Sequence, residues 1–189
     1  MRRSILLVPV LLALTVGVSA AESVIGIGFA AGMASPSGGQ WSDGDTKESK
    51  AGLNLAWRAP MAFAKRFSLE PFMERTEGSA DKSYQGTLDG YDVTSYGVNV
   101  GLGQLVRNKG GLHLTPFLGG MLSKPRRSGG PCDDGFAWQG GLSVGLHGSE
   151  SAHWDLRGAY QSISKMNGED KARNYINVSL GLTCVVKPR

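Results

Sequence analysis

Five charged side chains stand where charge is out of place. Arg58, Glu70, Glu74, Asp155 and Arg157 each fall inside a run of alternating apolar and polar residues, not in a polar stretch. Guanidinium and carboxylate groups facing each other between apolar walls suit two tasks, a charged gate or ion path, or a salt-bridged filling in which every charge is paired. A second group is basic and lies between the apolar runs: Lys124, Arg126 and Arg127, then Lys165, Lys171 and Arg173. Such side chains suit the phosphates of a lipid surface, lipopolysaccharide included, and ordinary solvation explains them equally well. Asp43-Gly44-Asp45 with Glu48 opens like a calcium-binding loop. The later glycine and the bidentate Glu at the twelfth position of such a loop are missing, so no metal and no cofactor is expected.

What positions these charges is a set of two-faced strands. Along Asp92 to Arg107, Tyr96, Val98, Val100 and Leu102 alternate with Gly97, Asn99, Gly101 and Gly103. Period two means a strand with unlike faces. Glycine and amide cannot fill a soluble core, so the bulky face must look outward at lipid. A strand can do this only in a closed barrel, because hydrocarbon leaves no partner for the unpaired backbone groups of a sheet edge.

Seven further segments repeat the pattern: Val24 to Ala34, Gly52 to Met61, Phe67 to Arg75, Leu112 to Leu122, Phe136 to His147, His153 to Ser162 and Tyr175 to Val186. In the fifth strand, Pro116 and Gly119-Gly120 blur the register. The spacing predicts an all-β, eight-stranded, antiparallel up-and-down transmembrane barrel. A soluble barrel of the lipocalin kind would need its large apolar residues facing in, and here the inward faces are glycine, Asn, Ser and charge.

Long polar connections (Ser35 to Lys50, Glu77 to Tyr91, Ser123 to Gly135, Ser164 to Asn174) take turns with short ones (Ala62 to Arg66, Asn108 to Gly111, Gly148 to Ala152). Short turns on the periplasmic side and long loops outside would place both termini in the periplasm. Tyr96, Phe136, Trp138 and Tyr160 fall at the loop ends of their strands, and Trp57, Phe67 and Trp154 at the turn ends, as two interfacial girdles would require.

The opening residues 1–20 carry Arg2 and Arg3, an apolar run from Ile5 to Val18 and small residues before Ala20, the three parts of a cleaved secretory signal. The mature domain would then be residues 21–189. Removing Arg2 and Arg3 from 20 basic residues leaves 18 against 16 acids, a net charge of +2 that excludes a nucleic-acid binder. Cys132 and Cys184 fall at opposite ends of a band about 25 Å tall, whereas a disulfide needs Cα atoms within about 7 Å. Two free thiols are expected.

In an eight-stranded barrel the third and seventh strands lie opposite each other. Glu70 and Arg157 are therefore expected to meet across the lumen, with Arg58 beside Glu70 and His147 beside Asp155. Because eight strands leave an interior that side chains just fill, the salt-bridged filling is the favoured reading of the cluster.

The chain resembles the small outer-membrane β-barrel family of OmpA/OmpX-like and opacity-type surface proteins. The likeness lies in pattern over the mature length, with local matches at Thr115-Pro116-Phe117-Leu118-Gly119-Gly120 and Asn174-Tyr175-Ile176-Asn177-Val178-Ser179-Leu180-Gly181-Leu182. The family implies insertion by the barrel-assembly machinery, which reads the last strand. Ser179, Gly181, Cys184 and Val186 follow the spacing of that signal, with Val186 where an aromatic belongs. Tyr160-Gln161-Ser162-Ile163-Ser164 is also similar to a stretch of lipid A deacylase barrels. There Ser164 matches the nucleophile, but Ser162 stands in the position of the histidine base and Arg173 in that of the acid. A serine hydroxyl without an adjacent base is a poor nucleophile. The expected role is therefore a non-enzymatic, monomeric structural or surface-interaction protein with a largely filled lumen. The alternatives are a lipid A-modifying esterase and a narrow passive pore.

Overall fold

In this computed structural model the described residues are 24–39, 51–63, 67–78, 91–102, 106–107, 112–127, 130–131, 134–149, 152–164 and 173–186. The strand segments are β1 Val24–Gly39, β2 Gly52–Arg58, β3 Met61–Phe63, β4 Phe67–Gly78, β5 Tyr91–Leu102, β6 Val106–Arg107, β7 His113–Arg127, β8 Gly130–Pro131, β9 Gly135–Ser149, β10 Ala152–Ile163 and β11 Arg173–Val186. They form eight staves, since β2 continues into β3, β5 into β6 and β8 into β9. Neighbours pair antiparallel, and β1 closes the sheet on β11 from Ile25↔Val186 to Gly39↔Arg173. The fold is a closed eight-stranded antiparallel barrel. The expected signal segment, residues 1–20, lies outside the described residues.

Register is kept at one junction between strand segments and shifted at another. Between β2 and β3, pairing with β1 moves from Gly28↔Arg58 to Ile25↔Met61, three steps on each side, so register is kept. Pro60 lacks an N–H, yet its carbonyl still accepts from the Gly26 N–H at 2.8 Å. Between β5 and β6 the register does slip. Gly101 pairs with Phe117 and Val106 with Leu114, five steps against three. Along the strand expected from Asp92 to Arg107, the pairing with β7 therefore shifts by two residues between Gly101 and Val106. Pro116 and Gly119-Gly120, by contrast, leave the pairing of β7 with β9 in step from His113↔Gly145 to Ser123↔Gly135.

Strands also outrun their expected ends. β1 continues past Ala34 to Gly39, β4 past Arg75 to Gly78, and β7 past Leu122 to Arg127, where Arg127↔Gly130 pairs β7 with β8. The physical reason is that apolar alternation marks the band facing hydrocarbon, whereas backbone pairing needs no apolar side chain and carries on beyond it.

The two faces are opposite in chemistry to those of a soluble barrel. Ile27, Trp57 and Leu118 are 57%, 58% and 62% exposed on the outside, while Asn54, Ser95, Asn99 and Gln139 are buried within. Aromatics gather in two rows. Phe29 and Trp57 meet edge to face at 5.5 Å near the turn end, and Trp138 and Tyr160 lie 5.7 Å apart near the loop end. Inside, large residues sit beside glycines on the next strand. A Cβ on Gly119 would collide with the Asn99 amide oxygen, on Gly145 with the His113 ring, and on Gly181 with the Asp155 carboxylate. The abundant glycine is the space that the lumen's polar side chains occupy.

Candidate functional site

β4 and β10 face each other across the barrel, and their inward residues meet in its middle. Arg157 on β10 grips Glu70 on β4 with two charge-assisted hydrogen bonds, Nη1 to Oε1 at 2.6 Å and Nη2 to Oε2 at 2.9 Å. The guanidinium also lies over the Phe117 ring, 4.5 Å from its centroid. The pair is extended on the Glu70 side. Asn99 Nδ2 donates to Glu70 Oε1 at 3.0 Å, and Gln139 Nε2 donates to Asn99 Oδ1 at 2.8 Å.

Arg58 makes the second ion pair. Its guanidinium donates to Asp155 Oδ2 at 3.1 Å and to Ser179 Oγ at 2.9 Å, passing across β1. The sequence places Arg58 beside Glu70 and His147 beside Asp155. Arg58 does stand on the strand next to Glu70, opposite Phe72, but β1 offers only Gly28, Ala30 and Gly32 to the lumen at this level, and closure of β1 onto β11 also brings Asp155 within reach of Arg58. The His147 side chain lies outside the described residues. Both ion pairs are largely shielded, with side-chain exposures of 12% and 10% for Arg157 and Glu70 and 6% and 17% for Arg58 and Asp155. Charge this far from water needs its partner, because an orphaned ion costs several kcal/mol.

Glu74 is not in either pair. It sits one level toward the loops, buried, accepting from Asn177 Nδ2 at 3.1 Å and from the Thr76 hydroxyl at 3.4 Å, with Asn54 Nδ2 donating to Thr76 at 3.0 Å. These amides are legible as inward-facing from the alternation. What sequence reasoning missed is that Asn99 and Gln139 extend the Glu70–Arg157 pair, whereas Asn54, Gln161 and Asn177 gather around Glu74 and Thr76.

Two unlike regions flank this layer. Toward the loops, Ala34, Phe72, Val93, Met121, Ala137, Ile163 and Tyr175 form one buried apolar cluster. Toward the turns a chamber of about 370 Å³ opens, with Ser68, His113, Thr115, Ser143, His153 and Thr183 on its walls and Glu70, Asp155 and Arg157 at its floor.

The other sequence-derived candidates are scattered. Lys124 lies exposed near the loop end of β7, 3.7 Å from the Asp134 carboxylate. Arg126 and Arg127 are on β7 and Arg173 on β11, their side chains outside the described residues, as are Lys165, Lys171, Asp43, Asp45 and Glu48. Arg75 is held on the outer face by Asp92 at 3.0 Å and Glu77 at 2.6 Å. Ser164 spends its hydroxyl on the Phe136 carbonyl at 2.6 Å, and its own N–H reaches the same oxygen at 2.8 Å. His153 is eleven residues back along the same strand, roughly 35 Å at about 3.3 Å per residue. His113 starts β7 at the turn end, so neither described histidine can serve Ser164 as a base. Cys184 is an exposed free thiol on β11, and Cys132 lies outside the described residues.

The sequence profile of the family described as outer membrane protein beta-barrel domain matches residues 6–183. Among solved structures, Neisserial surface protein A is 15% identical, over 87% of this chain and 99% of that one, with a TM-score of 0.64. OprG from Pseudomonas aeruginosa is 12% identical over 89% and 97%, with a TM-score of 0.54. A major outer membrane protein from Thermus thermophilus is 8% identical over 88% and 100%, also at 0.54. At such identities the likeness is one of fold. No curated protein matches the sequence.

Proposed function

This chain belongs to the outer membrane protein β-barrel domain family, and from that premise we propose that it is a non-enzymatic, monomeric surface protein whose lumen does not pass solutes. The observation that carries this reading is the stack of two side-chain layers across the barrel. The Glu70–Arg157 and Arg58–Asp155 pairs fill its middle, and the apolar cluster around Tyr175 and Ile163 fills the level nearer the loops. A solute entering from the turn end would have to break two shielded ion pairs and then cross an apolar layer. What remains for contact with partners is the loop end. In this reading the turn end and both termini face the periplasm, and Lys124, Arg126, Arg127, Lys165, Lys171 and Arg173 stand near the phosphates of outer-leaflet lipopolysaccharide. The orientation of Ser164 toward a backbone carbonyl supports the non-enzymatic half of the proposal.

Envelope fractions run with and without boiling test the membrane half. The folded barrel should sediment with the outer membrane and migrate faster unboiled. Conductance in planar bilayers tests the closed lumen, and the expected trace is flat. Steady ionic current that changes in Arg157 or Glu70 variants would establish a narrow pore instead. Ester release from lipid A, abolished by Ser164→Ala, would establish the enzyme.

A further inference from the structure

The two ion pairs and the group around Glu74 share a small space. A void of about 10 Å³ has Arg58, Arg157 and Ser179 on its wall together with Glu74, Asn177 and Ala159, and every residue lining it is described. Among the described residues no side-chain hydrogen bond joins the ion pairs to the Glu74 group. Each group brings one unmet atom to this wall. Arg157 Nε is buried without an acceptor, the Asp155 Oδ2 being 4.0 Å away and so beyond hydrogen-bond range. Asn177 spends its amide nitrogen on Glu74 and, at 2.9 Å, on Gln161, and its Oδ1 is buried without a donor.

One atom is a donor and the other an acceptor, and that selects the occupant. Buried polar atoms are rarely left unmet. A cation would satisfy the amide oxygen alone and would face two guanidinium groups. A halide would satisfy the guanidinium alone and would face the Glu74 carboxyl and the Asn177 oxygen. Water both accepts and donates. A space of this size holds one, and a buried water makes about three hydrogen bonds.

We propose that the void holds one long-lived internal water, which accepts from Arg157 Nε and donates to Asn177 Oδ1 and to the Glu74 carboxyl. The water joins the ion pairs at the middle of the barrel to the Glu74 group nearer the loops, so that the filling of the lumen becomes one hydrogen-bonded body. A single site is no file of waters, and it holds solvent without conducting it. The inference rests on the closed lumen proposed above, because a water is trapped here only if no solvent column runs past it.

The test is water-to-protein nuclear Overhauser spectroscopy on the refolded barrel in zwitterionic detergent, deuterated on carbon, read at the Arg157 Nε proton and the Asn177 side-chain amide. Both should show cross-peaks to the water resonance, with the sign of a water that tumbles with the protein. Ala159→Val adds carbon to the wall of the void and leaves every polar group in place, and it should abolish the Arg157 cross-peak. Asn177→Leu, which removes the acceptor, should do the same, and either variant serves should the other not refold. A cross-peak that survives in them comes from water elsewhere and overturns the site. No cross-peak in the native chain means that side chains alone meet Asn177 Oδ1, which overturns the water and leaves the closed lumen to stand or fall by conductance. Cross-peaks with the sign of fast exchange mean solvent passing through, and overturn the water and the closed lumen together.

Discussion

At the middle of the barrel the lumen is held by charge, and one level nearer the loops it is held by shape. Arg157 and Glu70 are joined by two directional hydrogen bonds, and each would be costly to leave alone. Phe72, Val93, Met121, Ile163 and Tyr175 are packed into one buried apolar cluster, where volume and fit count for most. The charge layer should therefore fail abruptly when one member is removed and recover when its partner goes too. The apolar layer should fail by degrees, in proportion to the volume lost.

Arg157→Ala is the sharpest way to break this contrast. It strands Glu70 in the lumen and should cost about 3–5 kcal/mol, read as a lower Tm of the detergent-solubilised barrel. Adding Glu70→Gln to Arg157→Leu should restore most of that loss. A double variant as unstable as Arg157→Ala alone would mean that the layer acts by packing after all. Ile163→Ala, in a fully buried position of the apolar layer, should cost about 2–4 kcal/mol. No second substitution that removes a neighbour should rescue it in the same chemical denaturation assay.

Between the layers and the wall the effects are smaller. Gly119→Ala drives a Cβ into the Asn99 oxygen and to within 2.8 Å of the Val98 carbonyl, an overpacking worth about 1–3 kcal/mol. Because Asn99 also holds Glu70, part of that cost should disappear in a Glu70→Gln background. Gly158→Ala, on the outer face with nothing within 4 Å of the new methyl, should move the midpoint by less than about 0.5 kcal/mol. A large loss there would show that the outer face packs against something.

Fold class and facing were legible because a barrel wall has only one period. Ile25, Ile27 and Phe29 against Gly26, Gly28 and Ala30 can be read without knowing any partner strand, and so can the inward positions of Arg58, Glu70, Glu74, Asp155 and Arg157. The meeting of Glu70 with Arg157 was legible too, since counting strands places the third opposite the seventh. Strand ends were not, because β7 goes on pairing to Arg127 after its apolar alternation has stopped.

Which side of each strand faces hydrocarbon, and which charges point inward, is written in the chain alone, since both follow from a local repeat of two residues and the cost of exposing charge to lipid. Who pairs with whom is a property of the closed barrel. Arg58 finds Asp155 because β1 closes on β11 and offers glycine where a larger residue would stand between them. Among the described residues Glu74 has no arginine within 4.0 Å, because the geometry of closure turns Arg58 to Asp155 and Arg157 to Glu70.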